Sequence, residues 1–183
     1  MTNGNERIPN TIAVVPPTPE DAENILKIIK DGYLDVLLNE KKDMPREEIE
    51  RHIEEIFAEG TLEDWKAWIM GADHENFLAA KQNNSITGVL RWRELPQSNL
   101  LIHFFVKPGA RGAGTGKKLL NAALRAMNPE KNVTLWVGAH NESARKFYED
   151  FGFTPTGKDA DEGWKTPHGT VTLRNVEMAR TLS

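Results

Sequence analysis

The first part of the chain has a short apolar run followed by a longer segment with apolar residues at helical spacing. Residues 11–15 are a short β-rich run that ends at Pro16 and Pro17. Thr18 and Pro19 then provide a capping hydroxyl and a proline in a first turn, as at the start of a helix. Apolar residues follow at helical spacing, at Ala22, Ile25, Leu26, Ile29, Tyr33, Val36 and Leu37. This pattern predicts a strand followed by a long amphipathic helix.

The rest of the chain predicts a mixed arrangement of helices and strands. Two shorter apolar stripes, after Pro45 and Thr61, predict two more helices, and further helices are expected from Gly112 and from Asn141. Strand-like runs cover residues 76–81, 85–94, 100–106, 133–137, 153–157 and 170–178. Residues 82–84 are expected to form a tight turn, and residues 164–169 a loop. The predicted fold class is therefore α/β, with a mixed sheet of about seven strands flanked by helices.

Composition narrows the classes of function. The 183 residues have a formal net charge of −4 and include no cysteine, so disulfides, thiolate metal sites and a cysteine nucleophile are excluded. A mildly acidic domain argues against nucleic acid as a partner, and no apolar run is long enough to span a membrane. Residues 1–10 are polar and have no apolar signal core. We expect a flexible tail over residues 1–10 and a single cytoplasmic domain over residues 11–183.

A glycine-rich segment lies between the predicted strand 100–106 and the helix behind it. Its sequence is Arg111-Gly112-Ala113-Gly114-Thr115-Gly116, followed by Lys117. Glycines allow a ligand to approach the backbone, and the free amides of a first helical turn favour an anion. The P-loop pattern fails, because Arg111 and Lys118 stand where glycine and Ser or Thr are required. The dinucleotide pattern fails at Lys117. A tight turn and an anion-binding cradle both remain.

A second segment settles which family the chain resembles. Residues 106–120 are similar to the acetyl-CoA loop of the GNAT acetyltransferase superfamily, with Arg111, Gly114 and Gly116 in the family pattern. Residues 141–153 resemble the second conserved segment of that family, which has Asn, Ala, Phe-Tyr and Gly-Phe at fixed spacing. Asn141 is also a good helix cap in its own right.

The resemblance implies an acetyl-CoA-dependent N-acetyltransferase with a GNAT-like fold and no metal. It assigns cofactor binding to Phe104, Phe105, Val106, Arg111, Gly112, Ala113, Gly114, Thr115, Gly116, Lys117, Asn141, Ala144 and Tyr148. Backbone N–H groups near residues 104–106 would stabilise the carbonyl oxygen, and the Tyr148 hydroxyl would face the CoA sulfur as the catalytic acid. The acceptor would be a primary amine. A homodimer is expected only because it is common in the family. The alternative is an acyl-CoA-binding module without turnover.

The general base is not apparent in the sequence. Many relatives place Glu or His at positions that match Leu100, Ile102 or Trp136, and all three are apolar here. Alternation along the strand turns His103 away from Leu100 and Ile102, which favours a packed histidine. His140 and Glu94 are weaker alternatives. The acceptor site is expected near Tyr33, Asp35 and Glu40 and the segment 164–169, where the acids either attract a cationic amine or belong to a solvated surface.

Overall fold

The computed structural model describes residues 11–41, 44–58, 60–166 and 169–181. The proposed tail over residues 1–10 lies outside the described residues. Within them the helices are α1 (Ala22–Glu40), α2 (Arg46–Ile56), α3 (Leu62–Ile69), α4 (Thr115–Ala126) and α5 (Glu142–Glu149). The strands are β1 (Ala13–Val15), β2 (Glu75–Gln82), β3 (Ser85–Glu94), β4 (Ser98–Val106), β5 (Asn132–Gly138), β6 (Thr154–Thr166) and β7 (Gly169–Arg180).

The strands of the described residues form one sheet in the order β1-β2-β3-β4-β5-β7-β6. Only β4 and β5 pair in parallel, and all other neighbours are antiparallel. The prediction of a seven-stranded mixed sheet is confirmed. The turn between β2 and β3 is also as predicted, because Asn83 and Asn84 both have positive φ values of 49° and 61°. Positive φ values at both central residues produce a two-residue hairpin turn whose twist matches that of the flanking strands.

Helices cover both faces of the sheet. On one face, here called the α4–α5 face, Leu119 and Leu120 of α4 and Tyr148 of α5 share a core with Leu90 and Val137. On the other, the α1–α3 face, the core consists of side chains from α1, α3 and the alternate positions of β2 and β3, namely Ile25, Ile29, Trp65, Phe77 and Val89. A smaller cluster joins α2 to α1 and β7. No helix in the described ranges is both long and apolar enough to cross a membrane.

The last hairpin differs from its prediction. The strand expected over residues 153–157 extends from Thr154 to Thr166, and the loop expected over residues 164–169 is reduced by strand on both sides, with residues 167 and 168 outside the described residues. The predictions failed because β6 is an edge strand that pairs only with β7 and is exposed from residue 154 to residue 163. A strand without a buried face has no need of an alternating apolar pattern.

Candidate active site

An opening separates the two parallel strands in the middle of the sheet. The ladder between β4 and β5 runs from Ser98 and Asn132 to Leu101 and Leu135, and it ends there. Both strands nevertheless continue, to Val106 and Gly138. From residue 102 onward, the edge of β4 no longer pairs with β5. Backbone groups at such an edge can bond an extended ligand as an additional strand would.

A β-bulge lies where the opening begins. Arg91 of β3 pairs with His103, but the next residue, Trp92, pairs with Leu101, so Ile102 is the extra residue of β4. A bulge reverses the alternation of side chains beyond it. His103 therefore lies on the same face of the sheet as Leu100, and the prediction that it lies opposite Leu100 is wrong.

The predicted packing of His103 is confirmed. The side chain is 7% exposed and lies among aromatic rings on the α1–α3 face, with ring centroids 5.9 Å from Tyr33 and 6.1 Å from Trp65. Its Nδ1 is buried without a hydrogen-bond partner among the described residues. Burial, assisted by the nearby positive charge of Arg91, lowers the pKa of His103 to about 3. The histidine is thus a neutral core residue.

The glycine-rich segment forms the entry to α4. Gly112 and Gly114 adopt left-handed conformations, with φ values of 78° and 82°. For this reason α4 begins at Thr115, whereas the sequence analysis predicts a start at Gly112. A Cβ atom on either glycine would meet nothing within 4 Å, so both residues border open space. The first turn of α4 has no side-chain cap and no acidic residue. Its amides are therefore available to an anion.

Two predicted cofactor residues in this segment use their side chains in hydrogen bonds within the chain. The Arg111 guanidinium donates to Asp35 of α1 at 2.7 Å and to the carbonyl of Val106 at 3.1 Å. The Thr115 hydroxyl is buried and donates to the carbonyl of Ala110 at 3.1 Å. Ala113 and Lys117 are exposed. The segment therefore presents mainly backbone, with the charge of Lys117 beside it.

The start of α5 lies beyond the end of β5. Asn141 caps the helix, as predicted, since its Oδ1 accepts from the backbone N–H of Ala144 at 3.1 Å and from the Ser143 hydroxyl at 3.1 Å. These bonds occupy Oδ1 and leave the amide nitrogen of Asn141 as its group for a ligand.

Tyr148 connects α5 to the opening. Its ring is 8% exposed and lies 6.3 Å from the ring of Phe104, which belongs to the part of β4 that does not pair with β5. Phe147 contacts both rings and also comes near Gly116. Burial raises the pKa of the Tyr148 phenol above its ordinary value, so the hydroxyl keeps its proton. The structure thereby brings Phe104, Gly116 and Tyr148 together. The side chain of Phe105 points away from them, because it packs against Gly32 of α1 on the α1–α3 face.

The acidic candidates occupy different environments. Glu94 pairs with Lys131 at 2.7 Å and lies beside Asn99, at the end of β4 away from the opening, so it is not placed to act as the base. Glu40 ends α1 with Oε1 buried and unpartnered among the described residues, against Gly138 of β5. The sequence alone did not reveal this contact. Its only trace is a glycine at the end of a buried strand.

Comparisons with known proteins agree on one family. The profile of the acetyltransferase (GNAT) domain matches residues 40–166. An uncharacterised N-acetyltransferase of Methanocaldococcus jannaschii is 32% identical over an alignment of 110 residues, and the alignment covers 53% of this chain and 46% of the relative. The 5-NmdU N-acetyltransferase of Pseudomonas phage PaMx11 is 35% identical over 95 residues, 51% of this chain and 61% of the relative. The chain thus spans only about half to three fifths of the length of these two relatives.

The fold is similar to that of a solved structure along nearly its whole length. The PaiA N-acetyltransferase of Thermoplasma acidophilum, crystallised in complex with coenzyme A, superposes with a TM-score of 0.72. The alignment covers 93% of this chain and 99% of the other, at 19% sequence identity. At that identity the similarity shows the fold.

Proposed function

Because the chain belongs to the GNAT acetyltransferase family, we propose that it transfers the acetyl group of acetyl-CoA to a primary amine by direct attack in a ternary complex. The observation behind this proposal is the opening between β4 and β5, where pairing stops at Leu101 and Leu135 while both strands continue. It is flanked by the glycine-rich entry to α4 and by Tyr148.

The residues around the opening fit the parts of acetyl-CoA. The backbone amides of residues 112–117 and the charge of Lys117 would hold the pyrophosphate, since Gly112 and Gly114 border open space. The edge of β4 over residues 104–106 would bond the pantetheine arm as an added strand. The amide nitrogen of Asn141 and the turn at Ala144 would contact the same arm from α5. Thr115 would contribute its backbone only, because its hydroxyl is used inside the protein.

The residues at the reacting end would supply two hydrogen bonds. When bound, acetyl-CoA provides an acetyl thioester, whose C–S bond breaks as the amine forms the new C–N bond. A backbone N–H of β4 between residues 104 and 106 would donate to the carbonyl oxygen as it gains charge. The Tyr148 hydroxyl would donate to the sulfur. Because burial raises the pKa of this phenol, we expect a hydrogen bond to the departing thiolate more than complete proton transfer.

The acceptor is proposed at the level of its chemical class. The name of the phage relative states an N-acetyltransferase of 5-NmdU, which supports nitrogen as the attacked atom. That relative matches only 51% of this chain. The proposal is therefore a primary amine and not that molecule.

Thiol release tests the proposal. The protein is incubated with acetyl-CoA and a panel of primary amines, and the CoA thiol is titrated. We expect turnover with at least one amine, and a fall of about 10²–10³-fold in kcat for Tyr148→Phe, because the variant lacks the hydrogen-bond donor to the departing sulfur. Its affinity for acetyl-CoA should be unchanged. Binding of acetyl-CoA without thiol release from any amine would contradict the proposal and favour a binding module.

A further inference from the structure

The carboxylate of Glu40 occupies the space of a side chain that is missing from β5. A Cβ atom built on Gly138 would collide with Oε1 of Glu40. Oε1 is buried and has no hydrogen-bond partner among the described residues. A buried carboxylate oxygen without a donor is costly, because the protein does not replace the hydrogen bonds it made in water. Oε1 can therefore accept a hydrogen bond from a ligand.

The carboxylate lies against β5 at the level of the opening. Gly138 is three residues beyond Leu135, the last residue of β5 that pairs with β4. Three residues of a strand span about 10 Å, so Gly138 is level with the unpaired part of β4 near Phe104. Val137 faces the α4–α5 core, and alternation turns the position of Gly138 toward α1. Glu40 thus approaches the opening from the face opposite Tyr148.

An exposed tryptophan lies beside it. Trp136 precedes Gly138 by two residues and therefore faces the same side of the sheet. Its side chain is 43% exposed, although β5 is a central strand. A carboxylate next to an indole suits an organic ammonium ion, because the carboxylate takes the charge and the ring faces the carbon skeleton or the cation itself.

Two other carboxylates on this side of the sheet, those of Asp35 and Glu177, already have partners. Asp35 pairs with Arg111 at 2.7 Å, and Glu177, the neighbour of Trp136 on β7, bonds the Thr156 hydroxyl at 2.7 Å and Lys158 at 3.1 Å. Glu40 is distinguished from both by its buried, unpartnered Oε1.

We propose that Glu40 binds the ammonium group of the acceptor and accepts its proton, while Trp136 packs against an apolar or aromatic body that bears the amine. The inference rests on the proposed function. In the step, one proton moves from the ammonium nitrogen to a carboxylate oxygen of Glu40. The freed electron pair of nitrogen forms the C–N bond as the C–S bond breaks, and the second proton of the nitrogen passes to the departing CoA sulfur. The carboxyl group of Glu40 then releases the first proton to water. A base from α1 thereby replaces the one that relatives place on β4 or β5.

The electrostatics of Glu40 agree with this role. Burial raises the pKa of its carboxyl, and the charges of His140, just beyond β5, and Lys41, just beyond α1, offset part of that rise. A carboxylate with a raised pKa is a better proton acceptor than an exposed one.

Steady-state kinetics of Glu40→Gln test the inference, with phenethylamine and ethanolamine as acceptors and acetyl-CoA as donor. We expect kcat/KM for the amine to fall at least about 100-fold near neutral pH, which is the size of a general-base contribution. The deficit should shrink as the pH approaches about 10, where the amine loses its proton unaided. Glu23→Gln, the same change at an exposed position of α1, should behave as the wild type.

Two further variants test the geometry. Gly138→Ala should reproduce the kinetic loss by displacing the carboxylate, with little change in melting temperature, because only the end of the flexible Glu40 side chain must move and Gly138 has no positive φ. Trp136→Leu should lower the preference for phenethylamine over ethanolamine about tenfold.

The outcomes separate the two proposals. Wild-type kcat/KM in Glu40→Gln would overturn the inference while leaving the acetyltransferase proposal intact. Loss of acetyl-CoA binding in Glu40→Gln would also overturn it, because the carboxylate would then hold the pantetheine arm. An unchanged acceptor preference in Trp136→Leu would remove the role of the indole. If the wild type released no thiol with any amine, both proposals would fail.

Discussion

His103 is a neutral histidine in an aromatic core, and its titration should be visible in the stability of the protein. Its pKa is about 3 in the folded state and near 6.5 in the unfolded chain. Because the folded pKa is the lower one, the unfolded state binds the proton first. The corresponding stability is fully present above pH 6.5, and it is lost as the pH falls from there toward 3.

We predict that His103→Phe flattens this acid limb. The wild type should lose up to about 1.4 kcal/mol of unfolding free energy per pH unit below 6.5 from this residue, and the variant should not. Phenylalanine keeps a ring among Tyr33, Phe57 and Trp65 and removes the unpartnered Nδ1. Urea unfolding between pH 4 and pH 8 measures the effect. An identical slope in both proteins, or an equal flattening in a variant of the exposed His74, would contradict it.

Some features of the site could be predicted from the sequence, and others could not. The cap at Asn141 followed from its position alone, because capping depends on local geometry. The face of His103 did not, since one extra residue at Ile102 reverses the alternation and nothing in the sequence of β4 marks the bulge. The contact between Glu40 and Gly138 joins positions almost a hundred residues apart, and only the tertiary fold creates it.

The entry to α4 contains three glycines, and only two of them have a backbone conformation that favours glycine. Gly114 is the cap residue in a left-handed conformation, and Gly112 shares that conformation. Gly116 has no positive φ, and a Cβ there would lie 3.6 Å from the rings of Phe104 and Phe147, an ordinary contact distance.

Substitution by alanine should separate these roles. Gly114→Ala should cost about 1–2 kcal/mol of unfolding free energy, because an L-residue is strained in the left-handed region. Gly116→Ala should leave stability unchanged or raise it by up to about 1 kcal/mol, since alanine is the better helix former. Urea unfolding of both variants provides the measurement. Equal destabilisation of the two would show that steric contact, and not backbone conformation, requires these glycines.

At the level of elements, burial determined what could be predicted. The bounds of β3 agree with the sequence prediction, because its alternate side chains pack into the cores on both faces of the sheet. The strand predicted for this segment is shorter than β6, because an exposed edge strand can be polar throughout. The start of α4 was placed three residues early, because a glycine can open a helix or, as Gly112 does, precede one in a left-handed conformation.

Residues from both faces of the sheet lie near the opening between β4 and β5. The α4–α5 face provides the glycine-rich entry and Tyr148, and the α1–α3 face provides Glu40 and Trp136. The link between Arg111 and Asp35 joins these two sides directly. The residues of the first half stand in motifs that the chain shares with its family, so the sequence could suggest them. Under our proposal the residues of the second half serve the acceptor, and the tertiary fold brings them together.

Ligand-dependent melting tests the whole arrangement with the intact protein. Acetyl-CoA at 100 times its dissociation constant should add about 2.7 kcal/mol to the unfolding free energy, which for a chain of this size raises the melting temperature by about 5–10 °C. ATP at the same concentration should have little effect, because the segment 111–118 lacks the P-loop glycine and hydroxyl that hold nucleotide phosphates. Both ligands are anionic, so a response to charge alone would be equal. A larger shift with ATP would mean that the amides of α4 bind nucleotides and that the opening in the sheet serves another ligand.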